Sequence, residues 1–134
     1  MNIAMHLERA AAFEQALARL DPVEDTELFV VFLMRAGTHR VNAALHALGL
    51  TSGVMGGAAG KIGDLNHTYK PKLDVALPPA MQQAFKHLAL LENLRPEFVR
   101  GPRVLDHAMA DACRAAYAGI RAQTDSILGA GVTP

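Results

Sequence analysis

A single cysteine, Cys113, in 134 residues leaves no partner for an intrachain disulfide and no thiolate set for a multi-cysteine zinc or iron-sulfur site. That usage fits a reducing compartment, and a cytoplasmic protein is expected. An excess of charge of either sign is missing as well: 13 basic residues balance 13 acidic ones. No net field then draws the chain to nucleic acid or to an anionic membrane, and neither is expected as a partner. Charge of any sign is scarce, at 19% of residues against 51% hydrophobic, where ordinary soluble domains carry roughly 25% charged residues. A chain the size of one domain has too little volume to hide that apolar excess. A second copy is the expected cover, so a homo-oligomer is predicted, a two-fold dimer first.

Other absences concern segments. The first nine residues carry Glu8 and Arg9 and lack an apolar run long enough for a secretory leader, so none is expected. Residues 41–60 contain no Asp, Glu, Lys or Arg and have the length of a membrane span, but Asn42, His46, Thr51, Ser52 and five glycines argue against one. The run from Gly56 to Ile62 is not a phosphate loop. The first glycine of that motif would fall on Met55, and the hydroxyl after Lys61 is replaced by Ile62.

What is present is helical periodicity. Ile3, Leu7, Ala10, Phe13, Leu17 and Leu20 recur at three- and four-residue steps and predict an amphipathic first helix. His6 stands beside that stripe and reads as a boundary residue. Asp21-Pro22-Val23-Glu24 supplies a capping side chain, a proline where no donor is missed and a glutamate in the first turn. A second helix is therefore predicted over 22–48, stopped by Gly49, and so short a connection makes the first two helices antiparallel neighbours. Leu28, Phe29, Val30, Val31, Phe32, Leu33, Val41 and Leu45 make the second helix apolar nearly all round, which marks it as central. Gly37 inside it costs about 1 kcal/mol against alanine, so something is expected to approach closely there.

Six glycines between positions 49 and 63 interrupt the periodicity and predict a partly ordered connection between helices 2 and 3, with a stripe of small residues for close helix packing as the competing reading. Pro78-Pro79 opens a third helix with Met81, Phe85, Leu88 and Leu91 inward, ending before Pro96. Gly101-Pro102 is read as the start of a fourth, with Leu105, Met109, Ala112, Ala116 and Ile127 on its apolar face. His107, Asp111, Arg114, Arg121 and Asp125 share a face expected to be solvated. The expectation is an all-α, antiparallel four-helix bundle-like domain over residues 1–128 with a frayed tail over 129–134.

Function has one conspicuous stretch. Arg35, His39, Asn42 and His46 fall at i, i+4, i+7 and i+11 and line one face of the most apolar helix. They form the candidate ligand site: Arg35 as an anchor for a small anionic ligand, the histidines as donors or proton-transfer groups, Asn42 to orient the ligand. The polar run from Asp64 to Lys72 could fold over this face and add His67, Tyr69 and Lys70. The opposing reading pairs Arg35 and the histidines with acids such as Glu8, Glu14 or Asp106 across a helix or subunit interface.

No catalytic residue, metal ligand or cofactor is assigned. His39 and His46 lie roughly 10 Å apart along the helix axis, too far to be close partners on one ion. There is no Glu-x-x-His or His-Glu-x-x-His run, so a metal-binding helical-bundle enzyme stands only as an alternative. The chain also resembles the general plan of the HEPN superfamily: small, all-helical, often dimeric bundles, some of which cleave RNA without metal through an Arg followed closely by a His. Arg40 with His46 and Arg100 with His107 have that spacing, with Val41 and Gly101 directly after the arginines. The resemblance implies, as a second alternative, a metal-independent ribonuclease or a toxin-antitoxin-like component.

Overall fold

The computed structural model describes residues 1–66, 73 and 75–131. Among them the regular structure is helical: α1 (Ile3–Leu17), α2 (Thr26–Ala47), α3 (Pro79–Glu92), a π-turn (Arg95–Val99) and α4 (His107–Gly131). None of these helices is long and apolar enough to cross a membrane.

α2 is the central element and packs on α1, α3, α4 and the π-turn. Its apolar surround requires this, because Phe29, Val30, Leu33, Met34, Ala36, Val41, Ala44 and Leu45 are all buried and no single neighbour could cover them. Met81, Ala84, Leu88 and Leu91 come from α3, and Phe98 comes from the π-turn. Ala110, Cys113, Ala116, Tyr117 and Ile120 on α4 complete the core. The close approach expected at Gly37 is present. A Cβ there would meet Ile120 Cδ1 at 3.0 Å and Leu88 Cδ1 at 3.2 Å, so the missing side chain lets α3 and α4 seat on α2.

Two helix starts differ from the sequence reading. Asp21 caps as expected, its Oδ1 accepting from the backbone N–H groups of Val23 and Glu24, but it caps a separate turn. The helix proper begins at Thr26, whose hydroxyl donates back to the carbonyl of Pro22 at 2.8 Å. In the same way Gly101-Pro102 does not open α4. At Gly101 a Cβ would lie 2.8 Å from the carbonyl oxygens of Pro96 and Glu97, so this glycine serves the tight exit from the π-turn. Asp106 then accepts from the N–H of Met109 at 2.7 Å, and α4 starts at His107. The buried face of α4 is rotated accordingly: Ala110, Cys113, Tyr117, Ile120, Thr124 and Leu128 point inward, while Ala112 is exposed. His107, Asp111, Arg114, Arg121 and Asp125 are exposed, as a solvated face should be. α4 stays helical to Gly131, past the start of the expected tail.

α1 contributes few fully buried side chains, His6 and Ala10 among them, with Phe13 and Leu17 half-buried against α2. It is tied down further along by a polar knot. Arg40, 6% exposed, donates through Nε to the Tyr117 hydroxyl, through Nη2 to Glu14 at 2.6 Å and through Nη1 to Asp125. Arg121 also donates to Glu14, so one carboxylate on α1 links α2 and α4.

Gly37→Leu should be destabilising, since a branched side chain has nowhere to go between Ile120 and Leu88. The expected loss is about 1–3 kcal/mol, the usual range for overpacking a core. Urea unfolding would check it, and an unchanged midpoint would show that α3 and α4 are not held close at Gly37.

Candidate functional site

Three segments distant in sequence converge at the open end of the α1 and α2 pair: His6 on α1, His39, Asn42 and His46 on α2, and Asp64 on the chain that leaves the glycine-containing turns. Two hydrogen bonds bring the last one in. The Asn42 side chain donates to the Leu65 carbonyl at 2.7 Å and accepts from the Leu65 N–H at 2.8 Å, both buried. Asn42 thus pairs with extended backbone as a neighbouring strand would. Leu65 itself is buried in the core, so the preceding residue, Asp64, is held over α2. The turns before it need glycine at specific points. Gly49 ends α2 at φ +72°, and Gly57 turns at φ +92°, where a Cβ would fall 2.3 Å from the Lys61 carbonyl oxygen.

Asp64 presents one oxygen to two imidazoles. Its Oδ1 lies 2.8 Å from His6 Nε2 and 2.8 Å from His46 Nε2. Its Oδ2 accepts from the amino group of Met1 at 3.0 Å. An ionised carboxylate can only accept, so both imidazoles carry their proton on Nε2. Their Nδ1 atoms are then acceptors. His39 Nδ1–H donates to His6 Nδ1 at 2.9 Å, and the buried Thr51 hydroxyl donates to His46 Nδ1. The chain of bonds runs from Thr51 through His46, Asp64 and His6 to His39. The rings also pack, with centroids 5.2 Å apart for His6 and His39 and 5.3 Å for His6 and His46.

For His6 and His39 the surroundings favour the neutral ring. Burial pushes His6 below its ordinary value of 6.5 even though Asp64 pulls the other way. His39 is lowered to about 4, first by burial and then by the nearby positive charges of His6, Arg9 and Arg35. Burial would raise the Asp64 carboxyl, but hydrogen bonds from His6, the amino group and His46 outweigh it and hold the group below the usual 3.8. Among the described residues, His6 Nε2, His46 Nε2 and one Asp64 oxygen form a group of potential metal ligands, all within 4.8 Å of one another.

A cavity of about 260 Å³ opens beside this cluster, bounded by His6, His39 and Asp64 together with Arg35, Thr38 and Asn66. No buried side-chain nitrogen or oxygen lacks a partner among the described residues. His39 Nε2, which has no protein partner there, is therefore reached by solvent.

The residues singled out from sequence separate clearly. His39 and His46 both belong to the cluster and are bridged by His6, which makes up the distance between them. Asn42 is buried and its amide pairs with the backbone of Leu65, which positions Asp64; it also borders the cavity. Arg35 is exposed at the cavity and pairs with no acid among the described residues; Glu14, one of its expected partners, is taken by Arg40 and Arg121. His67, Tyr69 and Lys70 lie outside the described residues. Sequence reasoning missed Asp64, Thr51 and His6. The boundary reading of His6 is corrected by its 1% exposure; its place on the same stripe as Ile3, Leu7 and Ala10 was the available signal. Arg40 is committed to Glu14, Tyr117 and Asp125, so it does not join His46 in the way the HEPN spacing implies.

No known family matches the chain, no curated protein matches it, and no solved structure matches its fold.

Asn42→Ala should leave the Leu65 N–H and carbonyl without partners inside the protein. The expected cost is about 2–3 kcal/mol, from two buried backbone groups. Hydrogen exchange at the Leu65 amide should accelerate with it. Unchanged protection of that amide would show that Asn42 does not hold the Asp64 segment.

Proposed function

We propose that this chain is a small cytoplasmic metal-binding protein, an antiparallel four-helix bundle that takes one divalent first-row transition-metal ion between His6 Nε2, His46 Nε2 and Asp64 Oδ1. The donor set selects the class of ion. Two imidazoles and one carboxylate suit zinc, iron(II), cobalt or nickel, whereas calcium and magnesium require a shell of oxygens. Three protein ligands also leave a position open. That position would face the cavity beside His39.

The observation that carries the reading is what stands behind each imidazole. A ligating histidine ordinarily donates its other ring N–H to a fixed acceptor, which sets its tautomer. Here His46 Nδ1 meets the Thr51 hydroxyl and His6 Nδ1 meets His39 Nδ1, and both partners can accept as readily as they donate. Moving the two Nε2 protons to Nδ1 would free three donor atoms for an ion and keep every outer hydrogen bond, with its direction reversed. The buried Cys113 thiol, away from this cluster, fits a reducing compartment.

Chelator-stripped protein titrated with Zn²⁺ should bind one ion per chain. Asp64→Asn and His46→Gln should each weaken that binding about 100-fold or more, the scale on which even supporting residues act. Protein that binds no ion, or variants that bind as well as the parent, would rule the reading out. Circular dichroism of the variants shows whether they fold.

Pairing of two chains is part of the same proposal. Leu28, Val54, Met55, Val75, Leu90 and Val104 are large apolar side chains left exposed, which a second copy would cover. Light scattering should return twice the chain mass. A concentration-independent monomer would remove this part and leave the metal site standing.

A further inference from the structure

The cavity beside the cluster is bordered by one carboxylate, Asp64, and by cationic groups that outnumber it. In the metal-free protein the Asp64 carboxylate, which would repel an anion, borders the cavity paired with the amino group of Met1. Arg35 borders the same cavity, and Arg9 lies close enough for its charge to act on His39. Neither arginine has an acidic partner among the described residues, whereas Arg40, Arg103, Arg114 and Arg121 each do. A divalent ion on Asp64 would turn the one repelling group there into part of a cationic centre with an open coordination position, beside two guanidinium groups that have no acidic partner among the described residues.

We infer that the cavity between His39 and Arg35 is a binding site for a small oxyanion, a carboxylate or phosphate group, and that it takes the anion only when the ion is bound. The inference rests on the metal reading above and names the ligand that completes it. One oxygen of the anion fills the open position on the ion. A second oxygen accepts from the Arg35 guanidinium, which is built for paired contact with carboxylates and phosphates. His39 supplies a third contact. Once His6 ligates through Nε2 its Nδ1–H donates to His39 Nδ1, so His39 carries its own hydrogen on the solvent-reached Nε2 and becomes a donor toward the cavity. The volume, about 260 Å³, is below the roughly 300–1,000 Å³ of sites that take drug-sized ligands, so the occupant is a small metabolite-sized acid or a free inorganic anion.

Cobalt(II) in place of zinc gives separate readouts for the two steps. Its visible absorption reports ion binding, and a change in that spectrum on adding acetate, succinate or inorganic phosphate reports entry of the anion into the coordination shell. The full chain loaded with cobalt should show a saturable spectral change with at least one of the three. Preference for phosphate or for a carboxylate then distinguishes the two sources of oxyanion. Arg35→Gln, an exposed position, should raise the half-saturating anion concentration about tenfold, equivalent to about 1.4 kcal/mol, and leave cobalt affinity without anion unchanged. By linkage the anion should tighten cobalt binding by the same factor as cobalt tightens anion binding. A cobalt spectrum that none of the anions moves into the tens of millimolar would overturn this inference and leave the metal site intact. No cobalt spectrum at all would overturn both. Equal anion binding with and without the ion, or an Arg35→Gln response identical to that of the parent, would also refute it.

Discussion

Two hydrogen bonds between the Asn42 side chain and the backbone of Leu65 decide the geometry of the polar end of this bundle. They are the point at which a segment without helix or strand is given a fixed position on α2. An amide side chain suits the task because it offers one donor and one acceptor in a plane, matching the backbone of a single residue. Both bonds are buried, so leaving either backbone group unpaired there is costly. Leu65 goes into the core and Asp64, its neighbour, is left standing between His6 and His46. Without that registration the two imidazoles would be buried next to each other with no carboxylate to accept from them.

The cluster is also an example of how a fold accommodates polar groups in an apolar setting. His6 and His46 are nearly fully buried, and each satisfies both ring nitrogens, one on Asp64 and one on a neighbouring side chain. The bonds that make the cluster tolerable are reversible in direction, since imidazole and hydroxyl groups both donate and accept. This dual capacity separates the cluster from the Arg40 knot. Arg40 can only donate, its partners are two carboxylates and a phenol, and it joins α1, α2 and α4 in bonds whose direction is fixed. Two buried polar assemblies on one central helix therefore differ in kind: one has fixed donors and acceptors, the other can reverse them.

Much of the fold was legible because its cause is local. The three-and-four spacing of apolar residues located all four helices, Gly49 marked the end of α2, and Pro79 marked the start of α3. Gly37 announced a close contact because glycine inside a helix needs a reason, and Ile120 and Leu88 provide it. The failures were also local in origin. Asp21-Pro22 and Gly101-Pro102 carry the residue types of helix starts, and each forms a turn of its own, because the following Thr26 and Asp106 are better placed to begin the helix against its neighbours. On α4 the expected face was right at Ala116, which is buried, and wrong at Ala112, which is exposed, since alanine is compatible with either side.

The sequence by itself determined that the chain is helical, that its second helix is central, and that Arg35, His39, Asn42 and His46 share one side of it, because helical periodicity alone sets those relations. It also ruled out a pairing of His39 and His46 on one ion, since their separation along the axis is a property of the helix. Only the tertiary structure decided which of these residues act together. His6 arrives from α1 and Asp64 from a segment whose path depends on Asn42, so the cluster is drawn from three places with no common spacing. Periodicity describes one helix at a time. A site assembled between helices and a loop exists only once packing has brought them together.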